Sequence, residues 1–154
     1  MVDPKGVDPK REAELREAIE LFFFAYREFT AGPDRILEQR GLSRVHHRIL
    51  YFVGRSPGIA INGLLAILGV TKQALNAPLR QLIEMNLIAA RERAHDRRFR
   101  ELALTAEGGR LEARLTGTQM KQLGAVFAAA GRPAEEAWKA VMTIMTEGKR
   151  PPTR

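Results

Sequence analysis

The 154-residue sequence contains no cysteine. Disulfides, thiolate metal sites and thiol redox switches are therefore excluded, and the absence fits a reducing cytoplasm. Long apolar runs are missing too. The longest apolar cluster, "LFFFAY", is far too short to cross a membrane. The first twenty residues, "MVDPKGVDPKREAELREAIE", hold no apolar stretch of the kind a secretory signal needs. A soluble, cytoplasmic protein without membrane contact is expected. The sequence also lacks a glycine-rich phosphate loop and any nucleophile motif. His46 and His47 are adjacent, so on a helix they diverge by about 100° and do not share a metal as an i, i+4 pair does. No enzymatic activity, no metal and no cofactor are expected.

What is present is a 45% apolar chain, long enough to bury one core. Its 25 lysines and arginines against 18 acids leave a formal charge of +7. The excess is uneven. In "RERAHDRRFR" five arginines (Arg91, Arg93, Arg97, Arg98 and Arg100) face only Glu92 and Asp96, a local +3, and the final "GKRPPTR" adds three cations without an acid. Such patches fit a polyanionic partner, or simply a solvated surface.

Along the chain, residues 1–8 read as a flexible arm. Asp8 and Pro9 form a helix start. Leu15, Ala18, Ile19, Phe22, Tyr26 and Phe29 follow at helical spacing. The helix is expected to stop at Gly32-Pro33, with a short separate helix over "PDRILEQR". Phe23 and Phe24 widen its apolar face beyond one side, so either a partner subunit or other helices of the same chain must cover it. Ser43 caps "RVHHRILYFVGR", and "SPG" at 56–58 is a turn. "AINGLLAIL" reads as a short helix and Gly69-Val70 as a tight turn. Thr71 caps "KQALNAPLRQLIEM", which Asn86 ends in a left-handed conformation. "LIAARER" and "FRELAL" are short and extended, which predicts a hairpin. Thr105 caps a long helix ended by Gly131, and a last helix starts at Pro133. The methionines Met85, Met120, Met142 and Met145 are expected in a core. The histidines His46 and His47 have two open roles: contact to an acidic ligand, or a helix-surface or dimer-packing position.

Residues 60–85 thus have the spacing of a helix-turn-helix. On the second helix Leu75, Leu79, Leu82 and Ile83 point inward, while Lys72, Gln73, Asn76, Ala77 and Arg80 fall opposite. Such polar side chains read base edges or hold phosphates from the start of a helix in the major groove. A basic hairpin directly after that helix makes a winged helix. Arginine is attracted to narrow minor grooves, which marks His95, Arg97 and Arg98 at the tip as candidates for insertion. Asp96 is expected to pair with a nearby arginine and orient it.

The stretch "LGVTKQALNAPLRQLIEMNLIAARERAHDRRFRELALTAEG" resembles the MarR (multiple antibiotic resistance regulator) winged-helix repressors. The resemblance is carried by Leu82, by Asn86-Leu87-Ile88, by Asp96-Arg97-Arg98, and by Leu104-Thr105 followed by Gly108. The fold it implies is mainly α with one β-hairpin wing, a winged helix-turn-helix lobe (33–105) plus a helical dimerisation region (9–32 and 106–148), with a basic tail at 149–154. It further implies a homodimer on a palindromic site in double-stranded DNA, its recognition helices about 34–36 Å apart. Thr71, Lys72, Gln73, Asn76, Ala77 and Arg80 would contact DNA from the helix, and Arg93, His95, Asp96, Arg97 and Arg98 from the wing. Leu15, Ile19, Phe22, Phe23, Trp138, Val141 and Met145 would form the dimer. Such proteins commonly repress transcription and release DNA on binding a small aromatic or phenolic ligand. The competing expectation is an interaction module whose basic wing binds an acidic protein. Pro78 departs from a regular recognition helix. It removes a hydrogen bond and crowds the Ala74 carbonyl, a cost of about 3 kcal/mol, so a kink or a tighter first turn is expected there. The lack of cysteine excludes the peroxide-sensing branch.

Overall fold

Fourteen buried aliphatic side chains, from Leu37 to Leu115, make up the core among the described residues. They form one cluster, and the secondary structure is arranged around it. The structure is a computed structural model. It describes residue 6, residues 8–93 and residues 96–149, with the side chains of 93–99 outside the description. The order is α1 (Pro9–Glu38), α2 (Arg44–Arg55), β1 (Ile59–Ala60), α3 (Ile61–Leu68), α4 (Lys72–Glu84), β2 (Ile88–Arg93), β3 (Asp96–Leu104), α5 (Ala106–Ala130) and α6 (Arg132–Thr146). The architecture is mainly helical with a small antiparallel sheet, as the sequence predicts. No helix among the described residues is long and apolar enough to cross a membrane.

The helix starts follow local chemistry. Asp8 accepts from the Lys10 N–H, with Pro9 at the first helical position. Thr71 accepts from the Ala74 N–H, and Thr105 from the Gly108 N–H. Asn86 takes a positive φ of 58° and closes α4, as expected.

The predicted stop at Gly32-Pro33 is corrected: α1 continues as one helix to Glu38, absorbing the expected separate helix. Pro33 has no N–H for the Phe29 carbonyl. The Gln119 side chain of α5 donates to that carbonyl instead, at 3.2 Å. Gln122 donates to the Glu28 carbonyl one turn along the same contact. Gly32 admits this approach, because a Cβ there would lie 2.7 Å from Thr118 Cγ2. Tertiary partners thus satisfy what the proline leaves open. Pro78 likewise does not break α4. That helix is α from Lys72 onward, with no tighter first turn, held by the buried Leu75, Leu79 and Leu82.

The hairpin pairs Ile88 with Leu104 and Ala90 with Leu102. Leu102 is fully buried, so the inward side of the wing rests on the helices. A two-residue strand that the sequence reading missed, β1, adds to the other edge of β3, giving the order β1-β3-β2. The Pro57-Gly58 turn delivers it, and the Gly58 N–H bonds to the Leu102 carbonyl at 2.8 Å. Two residues carry too little periodicity to be legible.

At the other end of the molecule the first twenty residues of α1 are exposed and no residue of α6 is fully buried within the chain. Ile19 is 70% exposed and Ile144 72%, and Phe22, Phe23 and Phe24 are exposed together. Of the two covers weighed for this face, helices of the same chain do not supply one. Met120 and Met145 are also exposed, which corrects their assignment to a core, while Met85 and Met142 are half-buried.

Candidate nucleic-acid interface

Amphipathic spacing on α4 places apolar residues at 75, 79 and 82 against the cluster. The opposite face is then polar by default. Thr71, Lys72, Gln73, Asn76, Ala77 and Arg80 are all exposed. The two helices of the motif, α3 and α4, meet at Gly69, which closes α3 in the left-handed conformation.

The wing lies directly after this helix. Register sorts its charges. Arg91 stands opposite Glu101, Glu92 opposite Arg100, and Arg93 opposite Asp96. Opposite charges across a ladder stabilise it modestly. Arg97 and Arg98 are the two arginines of this stretch without an acid at their register position. The register places Asp96 opposite Arg93 in the backbone ladder. The side chains of Arg93, Asp96, Arg97 and Arg98, and all of His95, lie outside the described residues, as do most of the arm and the tail beyond 149.

The chain belongs to the MarR family. The family model described as "MarR family" matches residues 40–98, the motif and wing just described. The HTH-type transcriptional regulator PetP of Rhodobacter capsulatus is 43% identical over 136 residues, covering 88% of this chain and 82% of PetP. Two solved structures share the fold. Staphylococcus aureus MepR in complex with DNA superposes with a TM-score of 0.67 at 23% identity, over 82% of this chain and 93% of that one. NadR in complex with 4-hydroxyphenylacetate does so with a TM-score of 0.69 at 19% identity, over 82% and 90%. This MarR-family chain is accordingly a DNA-binding transcriptional regulator with a winged helix.

In α2 the two histidines are both buried, correcting a helix-surface position for them. The His46 Nδ1 accepts the Ser43 N–H at 3.0 Å, so its proton sits on Nε2, which donates to Gln81 Oε1 at 2.9 Å. A serine followed three residues later by a side chain able to reach back is a capping pattern, and this signal was available in the sequence. The single proton of Thr116 goes to Glu112, so the His47 Nε2–H donates to Thr116 Oγ1 at 3.2 Å.

His47 also lines a cavity of about 320 Å³ between α1, α2 and α5. Its walls include Phe29, Tyr51, Phe52, Met120 and Leu123, and its rim carries three charged groups. Asp34 grips Arg44 through two guanidinium nitrogens at 2.9 and 3.0 Å. That hydrogen bond holds the Arg44 guanidinium above its usual pKa. Arg48 instead donates to the Tyr26 hydroxyl at 2.6 Å. The site is assembled from residues up to about a hundred positions apart, so no local pattern announces it.

Burial pushes the His47 pKa below its ordinary 6.5, Arg48 lowers it further, and Asp34 opposes both. A depressed folded pKa means that the unfolded chain takes up a proton first as pH falls. The contribution of neutral His47 is therefore complete above about pH 6.5 and is lost below it. Thermal melts should show stability falling as the pH drops below about 6.5, and His47→Gln should flatten that slope. An unchanged slope in the variant would assign it to other groups.

Proposed function

We propose that the protein is a homodimeric repressor of MarR type that reads a palindromic site in double-stranded DNA and leaves it when a small aromatic or phenolic ligand binds. The observation that carries the reading is the exposed polar face of α4, from Thr71 to Arg80, set beside a hairpin whose unmatched charges are arginines. Thr71, Lys72, Gln73, Asn76, Ala77 and Arg80 act on bases and phosphates in the major groove. Arg93, His95, Arg97 and Arg98 act on the backbone and minor groove, with Asp96 orienting Arg93. DNA-bound MepR supports this assignment.

The bare faces of α1 and α6 support the dimer, with Leu15, Ile19, Phe22, Phe23, Trp138, Val141 and Met145 at the contact. On this reading residues 9–32 and 106–148 dimerise, and 33–105 form the DNA-binding lobe. The aromatic walls and cationic rim of the cavity support an aromatic ligand with an acidic or phenolic group, as does NadR with 4-hydroxyphenylacetate bound. The protein works in the cytoplasm and performs no catalysis.

A footprint over DNA upstream of the protein's own gene tests the reading. A discrete two-fold-symmetric protected site at physiological salt is expected. Binding without any such site would favour a wing that docks on an acidic protein, because a basic patch alone binds DNA non-specifically. Arg80→Ala or Asn76→Ala should relax preference at particular bases, by about fivefold to a hundredfold each. Arg98→Ala should weaken all sequences alike and reduce the salt slope. Equal losses from all three on specific and random DNA would overturn the base-reading assignment.

A further inference from the structure

The apolar contacts of α4 are non-directional. Leu75, Leu79 and Leu82 hold one face against the core, and a directional bond to a neighbouring element adds to what fixes the rotation of the helix about its axis. Base reading tolerates little error, about 0.5 Å and 10–20° for a working contact. Pro78 adds freedom, since it has no N–H for the Ala74 carbonyl. The segment bearing Lys72, Gln73, Asn76 and Ala77 thus joins the rest of α4 with one bond fewer.

One side chain supplies the missing direction. Gln81 is half-buried, one residue after Arg80 and three after Pro78. Its Oε1 accepts the His46 Nε2–H at 2.9 Å, and its Nε2 donates to the Gly41 carbonyl at 3.4 Å. Both ends of the amide are used, which fixes its orientation. His46 is itself only 7% exposed, and the Ser43 N–H on Nδ1 determines which ring nitrogen faces Gln81. The amide is therefore clamped between the first turn of α2 and the connection leading into it from α1.

We infer that Gln81, clamped by His46 and the Gly41 carbonyl, is the positioning residue that sets the angle at which α4 presents its base-reading face. The inference rests on the reading of α4 as the base-reading helix. Gln81 touches no base itself. It acts through Arg80 and the residues before Pro78, and it links their aim to the end of α1, whose middle turns line the cavity.

The test compares affinity for the footprinted site with affinity for random duplex of the same length, using the full chain at a temperature where every variant is folded. Gln81→Met keeps the length of the side chain and removes both polar ends. It should lower the specific-to-random ratio about tenfold, the scale of one base contact, while random-duplex affinity stays within about twofold because phosphate contacts are intact. Gln81→Glu retains an acceptor for the His46 Nε2–H but loses the donor to the Gly41 carbonyl, and should recover only part of the ratio. His46→Asn still has an acceptor for the Ser43 N–H but is too short for Gln81, and should reproduce the Gln81→Met loss. It carries the test if Gln81→Met does not fold. An unchanged ratio in Gln81→Met and His46→Asn, with a lowered one in Arg80→Ala, overturns the inference and leaves α4 as the reading helix. Equal losses on both duplexes mark a merely structural role and overturn it as well. If Arg80→Ala and Asn76→Ala also leave the ratio unchanged, the base-reading assignment fails first and the inference falls with it.

Discussion

Gly108→Ala should lower stability by about 3 kcal/mol, the upper end for overpacking. For a chain of this size that corresponds to a melting temperature lower by about 6–12 °C. A Cβ at Gly108 would overlap the carbonyl oxygen of Leu87, and that oxygen is not free to move. It accepts the Thr105 N–H at 3.1 Å. Thr105 in turn donates its hydroxyl to the Asn86 carbonyl at 2.6 Å and accepts the Gly108 N–H at 3.0 Å. The end of α4, the end of the wing and the start of α5 are tied at this point, so backbone meets backbone and no flexible side chain can give way. Gly109→Ala is the internal control. Nothing lies within 4 Å of a Cβ there, and alanine is the better helix former. That variant should be neutral or slightly more stable. A Gly108→Ala protein that melts with Gly109→Ala would show that α5 shifts without cost and that the tie is loose.

Phe22→Asp combined with Val141→Asp should convert the protein to monomers and reduce affinity for the footprinted site by about a hundredfold or more. Each substitution puts a carboxylate into a face that the dimer would make dry, where an unpaired charge is strongly unfavourable. Both positions are more than half exposed in the single chain and neither touches the core, so the lobe should remain folded. In the proposed dimer the second half-site binds as an intramolecular event, an advantage on the order of 10²–10⁴ that monomers would lose. Light scattering gives the mass and anisotropy the affinity. A double variant that stays dimeric and keeps its affinity would move the interface away from α1 and α6.

Much of the lobe was legible because its signals are local. Caps at Asp8, Thr71 and Thr105 need only a side-chain oxygen and a nearby N–H. The left-handed Asn86, the alternation at Leu102 and Leu104 and the amphipathic spacing of α4 need only the chain's own periodicities. The polar face of α4 follows once its apolar face is assigned. At Pro33 the expected stop was wrong, and at Pro78 the expected tighter first turn is absent. The local cost of proline is real, but Gln119 meets it at Pro33, and burial of Leu75, Leu79 and Leu82 outweighs it at Pro78. The burial of the histidines was not legible because their partners, Gln81 and Thr116, lie 35 and 69 residues away.

The amino-acid sequence by itself determined the order of elements from α4 to α6, the basic wing after a helix-turn-helix, and an apolar N-terminal helix too wide for one surface. Hydrogen bonds over four residues and side-chain periodicity depend on neighbours in the chain, and those are written there. Only the tertiary structure decided that α1 runs unbroken past Pro33, that a third strand completes the wing, that α1, α2 and α5 line an aromatic cavity, and that His46 bonds to Gln81 of α4. Each of these depends on groups distant in sequence meeting at hydrogen-bond distance, a geometry set by the packing of the whole core.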